Sequence, residues 1–393
     1  MRARIGYFDG IGNVHKLREN ATADASEGAR TVIPLKQEKP DFTRRQVLTL
    51  AVGSLLSFQI PCAYAYPEDQ ARYEMRPDVI DWAGKVSARY GLKERAILAV
   101  LSKARHVKTS KRLMEKGAAD IAPVRDWRLY RRRFLTGERI KKGTKFMRRN
   151  AEWLTYSEDR WGIPGSILTA LLGIETLYGQ SLGRFRVLDV LTTLSFDHER
   201  RSAFFREELA AYLVLCEQGH FNPVTQRGSY AGAVGMPQFM PTNILKYGVD
   251  LDCDGKIDLL HSAPDAIAST ANLMHHYGWN KDVPLEWSCT CSVSHAFDLD
   301  AGGIVANTTL QNLLDAGVEP LEAIDAPATT KVLLIDLPQT DETGARDIQW
   351  FIGSENFVSL LKYNRSYFYA QCVAELAEAI ETELTEESER LFF

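Results

Sequence analysis

Glu175 is a carboxylate set among apolar neighbours. It stands in Gly162-Ile-Pro-Gly-Ser-Ile-Leu-Thr-Ala-Leu-Leu-Gly-Ile-Glu-Thr-Leu-Tyr-Gly179, where Pro164 suits the first turn of a helix and Gly179 and Gly183 end it. On such a helix Leu168, Leu171, Leu172 and Tyr178 share the face of Glu175 as its i−7, i−4, i−3 and i+3 neighbours. No lysine or arginine lies within one turn, so desolvation should hold a proton on this carboxyl near neutrality. A carboxylic acid that is still protonated at neutral pH is what a general acid for a glycosidic oxygen requires. The competing reading is an exposed helix end, or an ion pair with Arg184 or Arg186. Ordinary glycoside hydrolysis needs a second carboxylate, for which Asp189 and Asp197 are the nearest sequence candidates.

A second constellation has metal-ligand spacing. Asp250, Asp252, Asp254 and Asp258 occupy positions 1, 3, 5 and 9 of an EF-hand-like loop, with Gly255 at 6, Lys256 at the backbone-ligand position 7 and Ile257 at 8. His261 replaces the usual glutamate at position 12, so weak calcium binding is expected, bracing structure rather than doing chemistry. The bland alternative is an acidic turn that holds nothing.

The elements that must position these groups are mostly helical. Of 393 residues 45% are hydrophobic and 25% charged, which excludes a disordered or membrane-embedded chain, and the net charge of −4 singles out no partner. Thr43-Arg44-Arg45-Gln46-Val47-Leu48, an apolar stretch to Ile60 and Ala63-Tyr64-Ala65 read as a twin-arginine export signal, giving a leader over 1–65 and a periplasmic location. Retention of the leader as an anchor is the alternative. Helical spacing runs over 72–120, 153–215, 262–277 and 366–389, the last with an acidic end read as solvated. Arg125 to Arg149 is basic and aromatic; export argues against nucleic acid as its partner and leaves an anionic cell-wall polymer or a solvated face. Lys331-Val-Leu-Leu-Ile-Asp-Leu reads as a strand, and 286–355 as a small mixed α/β subdomain beside a core formed by 66–285 and 356–393. Cys289-Thr290-Cys291 lacks the second pair of a zinc site.

Glu175 in Gly173-Ile-Glu-Thr-Leu-Tyr-Gly179, Leu194-Ser-Phe-Asp-His-Glu-Arg-Arg201, Gly228-Ser-Tyr-Ala-Gly-Ala-Val-Gly-Met-Pro-Gln-Phe-Met-Pro241 and Tyr363-Asn364 together resemble the lytic murein transglycosylase B family. The likeness runs from about Trp127 to Ile380 and departs at Met236-Pro237, where tyrosine-glycine is usual. It implies a mainly α, lysozyme-like fold and cleavage of the bond between N-acetylmuramic acid and N-acetylglucosamine without water, leaving 1,6-anhydromuramic acid. Glu175 takes the role of single acid and base, with no catalytic cofactor. Arg200 and Arg201 match groove residues, although Glu207 and Glu208 could pair with them. Ser229 and Gln238 match polar residues near the scissile linkage; Tyr130, Tyr363 and Asn364 match further groove positions. Asp265 resembles the bidentate ligand of the family's altered calcium loop. The implied partner is the glycan strand, acted on by a monomer that could meet cell-wall synthesis or division proteins. A hydrolytic muramidase and a non-catalytic wall-binding protein are the alternatives.

Overall fold

Helix α7, Gly165–Thr176, is buried along its whole length. In the computed structural model, residues 72–115, 126–292, 299 and 303–392 are described, and the expected leader and its Ala63-Tyr64-Ala65 site lie outside them. The described residues form fourteen helices and seven short to medium strands. Ahead of α7 come α1 (Pro77–Tyr90), α2 (Glu94–Leu101), α3 (Lys108–Glu115), α4 (Trp127–Phe134), α5 (Gly137–Arg149) and α6 (Ala151–Trp161). After it come α8 (Val187–Asp197), α9 (Ser202–Glu217), α10 (Pro241–Tyr247), α11 (Ala263–His276), α12 (Leu310–Asp315), α13 (Glu355–Tyr363) and α14 (Tyr367–Phe392).

Apolar burial divides these helices into two clusters. One gathers Leu168, Leu171, Leu172 and Ile174 of α7 with Cys372, Val373, Leu376 and Ile380 of α14, whose three- and four-residue spacing lays one stripe of that helix along α7. The other gathers Val79 and Trp82 of α1 with Leu188 and Leu191 of α8 and Leu209 and Leu213 of α9. Tyr277 and Tyr363 pack against both, so they mark the seam between the halves. The carboxyl-terminal end of α7 is brought to this seam.

The strand expected at 331 is β6 (Lys331–Thr340), which pairs antiparallel with β7 (Arg346–Ser354). With β3 (Glu286–Thr290), β4 (Thr308–Thr309) and β5 (Glu319–Pro320) they form a sheet of order β4-β6-β7-β3-β5; β1 (Phe185–Arg186) and β2 (Arg227–Gly228) make a separate pair. Alternation explains why β6 looks continuously apolar. Leu333, Ile335 and Leu337 face the helical core, whereas Val332 and Leu334 face α12, so both sides are buried. Asp126, the N-cap of α4, accepts from Leu129 N at 3.0 Å and from Thr340 N at 3.0 Å, joining the sheet's far corner to the helices.

One expectation is extended here and another changes. The acidic end of α14 is mostly exposed, as expected, but Glu387 there pairs with Arg148, and earlier on the same helix Glu375 pairs with Arg131, so α14 neutralises part of the basic stretch on α4 and α5. The helix carrying Glu175 stops at Thr176, earlier than Gly179, because Leu177 and Tyr178 turn left-handed at φ 51° and 60°. Tyr178 therefore folds back instead of sharing the Glu175 face; its hydroxyl donates to Arg139 O at 3.0 Å and its ring stacks on Phe146. A side chain at 173 would displace the Tyr178 ring, since a Cβ there would lie 2.5 Å from the Tyr178 hydroxyl.

Candidate active site

Glu175 is 6% exposed, and its Oε1 accepts a hydrogen bond from Tyr369 Oη at 2.6 Å. Burial pushes its pKa up to about 7, and the Tyr369 bond, which favours the ionised form, pulls the other way. Neither Arg184 nor Arg186 holds it. Arg186 donates to Val224 O at 2.9 Å and lies 3.4 Å from Asp189, while Arg184 lies over the Phe185 ring. The carboxyl group thus keeps its proton into the neutral range, with one oxygen fixed by Tyr369.

The fixing group is supported in turn. Tyr369 is fully buried and its ring stacks on Tyr363, with centroids 6.3 Å apart and planes 12° from parallel. The Tyr363 hydroxyl donates to Pro237 O, and Tyr363 also lies against Phe239. Burial and the nearby Glu175 carboxylate hold both phenols well above their usual pKa, so they remain neutral donors. Tyr130 sits close enough to Tyr369 to oppose its ionisation, inside a cluster with Trp127, Phe134 and Phe368. Asn364 is buried one residue beyond α13, with its backbone N–H on Leu360 O at 3.0 Å.

The Ser229–Phe239 segment is a loop shaped by its own hydrogen bonds. Ser229 Oγ accepts from Ala231 N at 3.2 Å and Ala233 N at 3.0 Å, and Val234 and Phe239 form an antiparallel bridge. Gln238 takes a left-handed φ of 51° and donates its side-chain amide to Gly235 O at 2.9 Å. The loop is pinned to the helix end beside Glu175 because Thr176 Oγ1 donates to Met236 O at 2.9 Å while accepting from Gly179 N at 3.0 Å. Met236, where the family pattern has another residue, packs into the helical core with its carbonyl on Thr176.

Arg201 lies half-buried over Phe204 and Phe205, 4.6 and 5.3 Å from their centroids, and close enough to Tyr230 to hinder that phenol's neutral form less than burial favours it. Arg200 is exposed in the turn before α9. The alternative acidic partners are occupied elsewhere. Glu207 pairs with Arg89 at 2.7 Å, and Glu208 accepts from Thr242 N and Oγ1 at 2.9 and 2.8 Å.

The candidate second carboxylates are committed to scaffolding. Asp197 accepts from Tyr73 at 2.5 Å and Arg76 at 2.6 Å and lies 2.9 Å from His106, contacts that outweigh its desolvation and bring its pKa down to about 2. Asp189 accepts from Arg105 N at 2.9 Å. Both tie the amino-terminal helices to α8.

In the acidic loop, oxygens of Asp250, Asp252 and Asp254 lie within 4.8 Å of one another, which suits a hard cation. Gly255 takes the positive φ, 88°, that the loop's sharp turn requires. Asp258 turns to His261, at 3.2 Å, and to the N–H groups of Leu260 and His261. Asp265 is fully buried and its two oxygens accept from Leu251 N at 2.9 Å and Asp258 N at 2.8 Å, so it staples the ends of the loop together. Lys256 N caps Asp254 at 2.9 Å, leaving only the lysine carbonyl as a possible ligand.

Sequence reasoning missed Tyr369 and Thr176. The available signal for Tyr369 was weak: a third tyrosine in Tyr363-Asn-Arg-Ser-Tyr-Phe-Tyr369 whose buried hydroxyl would need a partner.

Comparison with known proteins bears directly on this arrangement. The Escherichia coli membrane-bound lytic murein transglycosylase B is 29% identical over 310 residues, 77% of this chain and 82% of that protein. The crystal structure of catenated lytic transglycosylase SltB1 from Pseudomonas aeruginosa matches with a TM-score of 0.73 and 30% identity, over 79% of this chain and 99% of that one. E. coli lytic transglycosylase Slt35 in complex with calcium matches with a TM-score of 0.69 and 27% identity, over 82% of this chain and all of that one. The family described as the transglycosylase SLT domain matches residues 76–378, and the chain, mainly helical with the lysozyme-like fold of these enzymes, belongs to that family.

Proposed function

We propose that this protein is a lytic transglycosylase of peptidoglycan in which Glu175 carries both proton transfers. The observation that carries the mechanism is a single buried carboxyl group, with a pKa near 7 and one oxygen held by Tyr369, at the seam between two helical clusters. Protonated Glu175 gives its proton to the oxygen joining N-acetylmuramic acid C1 to N-acetylglucosamine, and the C1–O bond breaks. The muramyl N-acetyl group stabilises the positive charge that develops at C1. The muramyl C6 hydroxyl then attacks C1 and returns its proton to Glu175, so no water is consumed and the product is 1,6-anhydromuramic acid. A substrate hydroxyl replaces the second carboxylate, consistent with the commitment of Asp189 and Asp197 elsewhere.

Tyr130, Arg200, Arg201, Ser229, Gln238, Tyr363 and Asn364 are assigned to the groove that seats the glycan. Calcium is assigned to Asp250, Asp252 and Asp254, a reading supported by their geometry and by the calcium complex of the related Slt35. The twin-arginine leader supports export to the periplasm. Mass analysis of fragments released from purified sacculi tests the function. Anhydro ends are expected; reducing muramic acid ends would make the protein a hydrolytic muramidase, and no release would make it a wall-binding protein.

A further inference from the structure

A carboxyl group with a sealed oxygen lies on the sheet side of α14. Glu286 on β3 accepts from Gln371 Nε2 of α14 at 2.8 Å. Gln371 is 1% exposed, and although Glu286 as a residue is half-buried, its Oε2 is sealed from solvent. Two polar atoms of this one pair have no hydrogen-bond partner: Glu286 Oε2 and Gln371 Oε1. Both are acceptors when the glutamate is ionised, so no rotation of either side chain satisfies them together. A proton on Oε2 satisfies both at once, because a carboxylic acid and a primary amide form a ring of two antiparallel hydrogen bonds. Orphaned buried polar atoms are costly, which makes the protonated form the one this geometry accommodates.

The surroundings favour the same form. Among the described residues, the titratable and charged groups that act on the pair are Glu375 and Glu378 of α14 and Cys289 of β3, and Arg131 of α4 is paired with Glu375. Burial first, then the two glutamates, push the Glu286 pKa up to about 8. Gln371 is two residues along α14 from Tyr369, so whatever fixes Gln371 against the sheet also fixes the segment that presents a hydroxyl to Glu175.

We propose that Glu286 is a positioning residue: bearing a proton, it closes a two-bond ring with Gln371 and so holds the part of α14 that aims Tyr369 at Glu175. The activity half of this inference rests on Glu175 being the catalytic acid; the protonation half does not. Glu286→Gln keeps the shape and supplies the second donor permanently, while Glu286→Leu and Gln371→Leu abolish the ring.

The first experiment is urea unfolding from about pH 5 to about pH 9 in a Glu175→Gln background, which removes the other carboxyl with a strongly raised pKa. Native Glu286 keeps its proton where the unfolded chain has lost it, so its contribution is lost as pH rises through the native pKa. The unfolding constant should therefore climb by up to about tenfold per pH unit below pH 8, and this climb should vanish on adding Glu286→Gln. Equal slopes with and without Glu286→Gln overturn the proton. The second experiment is a pH–rate profile on peptidoglycan with Glu175 intact. Gln371→Leu should lower kcat roughly tenfold at little change in KM and move the basic limb to higher pH, because a loosened Tyr369 no longer favours ionised Glu175. Glu286→Leu should do the same and Glu286→Gln should restore the wild-type profile. A Gln371→Leu profile coinciding with wild type, or failure of Glu286→Gln to outperform Glu286→Leu, overturns the positioning role.

Discussion

The Tyr369 hydroxyl and the Glu175 carboxyl meet at 2.6 Å inside a pair that is almost wholly buried. Because the phenol donates, it stabilises the carboxylate more than the acid and sets how late in the pH range Glu175 loses its proton. Tyr369→Phe removes that donor and keeps the ring that stacks on Tyr363. A hydrogen bond to a charged group is worth about 1.5–3 kcal/mol, so the pKa of Glu175 should rise by about one unit or more. The basic limb of the pH–rate profile should shift upward by that amount, while kcat at its optimum falls because Oε1 is no longer fixed. An unmoved limb would remove Tyr369 from the mechanism.

Thr176 couples the helix end to the Ser229–Phe239 loop through two backbone groups, Met236 O and Gly179 N. Thr176→Val conserves shape but removes the partner of the buried Met236 O and of the half-buried Gly179 N. The expected loss is about 2–3 kcal/mol of stability by urea unfolding. The activity loss should exceed what the unfolded fraction explains, measured at a temperature where the variant is fully folded. A fully folded variant with wild-type turnover would show that the loop's placement does not matter to chemistry.

Calcium binding should stabilise the fold by mass action, since a ligand held only by the native state adds about 2.7 kcal/mol at a hundred times its Kd. Melting in calcium against chelator should differ by several degrees, and Asp254→Ala should abolish the difference while changing the chelator value little. Asp265→Ala should behave differently. It removes the staple on Leu251 N and Asp258 N, so it lowers the melting temperature even in chelator. If Asp265→Ala were silent without calcium, Asp265 would be a ligand and nothing more.

Much of the fold was legible because its signals are local: periodic spacing or apolar runs. The stripe of α14 follows from helical spacing, while β6 and α7 are legible as apolar runs of strand and helix length between turn residues. What stayed hidden depended on contacts distant in sequence. The end of α7 at Thr176 comes with a left-handed turn at Leu177 and Tyr178 that sends the Tyr178 hydroxyl to Arg139 O, 39 residues away, a contact that spacing alone does not show. The ion pairs that α14 makes through Glu375 and Glu387 could not be read from spacing, because their basic partners on α4 and α5 lie more than two hundred residues away. At the site, Glu175 could be singled out from its greasy neighbours alone. Tyr369 could not, being 194 positions away and one tyrosine among fifteen. The acidic loop was readable in its first three aspartates, but the spacing could not show that Asp265 satisfies backbone N–H groups instead of facing them.

Glu175 imposes a stability cost that its replacement should reveal. Its pKa rises on folding from 4.5 to about 7. Below the lower value both states are protonated and folding is unaffected. Between the two, the unfolded chain is ionised while the native state keeps its proton, so each increase in pH favours unfolding. Above about 7 the native carboxyl ionises as well and the penalty is fully present. At 1.36 kcal/mol per unit the loss amounts to about 3 kcal/mol. Glu175→Gln retains the size and an acceptor for Tyr369 but carries no ionisable proton. It should therefore be more stable than wild type at mildly alkaline pH, by up to that amount, and lose the advantage towards pH 4.5. Glycan binding should survive. Turnover should collapse, since acid and base steps each contribute about 10²- to 10⁴-fold and one group serves both. Substitution of Asp189 or Asp197 should reverse the pattern, costing stability through lost Arg105, Tyr73 and Arg76 contacts while the folded fraction keeps its activity. The measurements are urea unfolding across pH and mass analysis of muropeptides from sacculi treated with each variant. A Glu175→Gln protein with near-normal release of anhydro products would overturn the single-carboxylate mechanism, and one no more stable than wild type at alkaline pH would mean that Glu175 is not held in its protonated form.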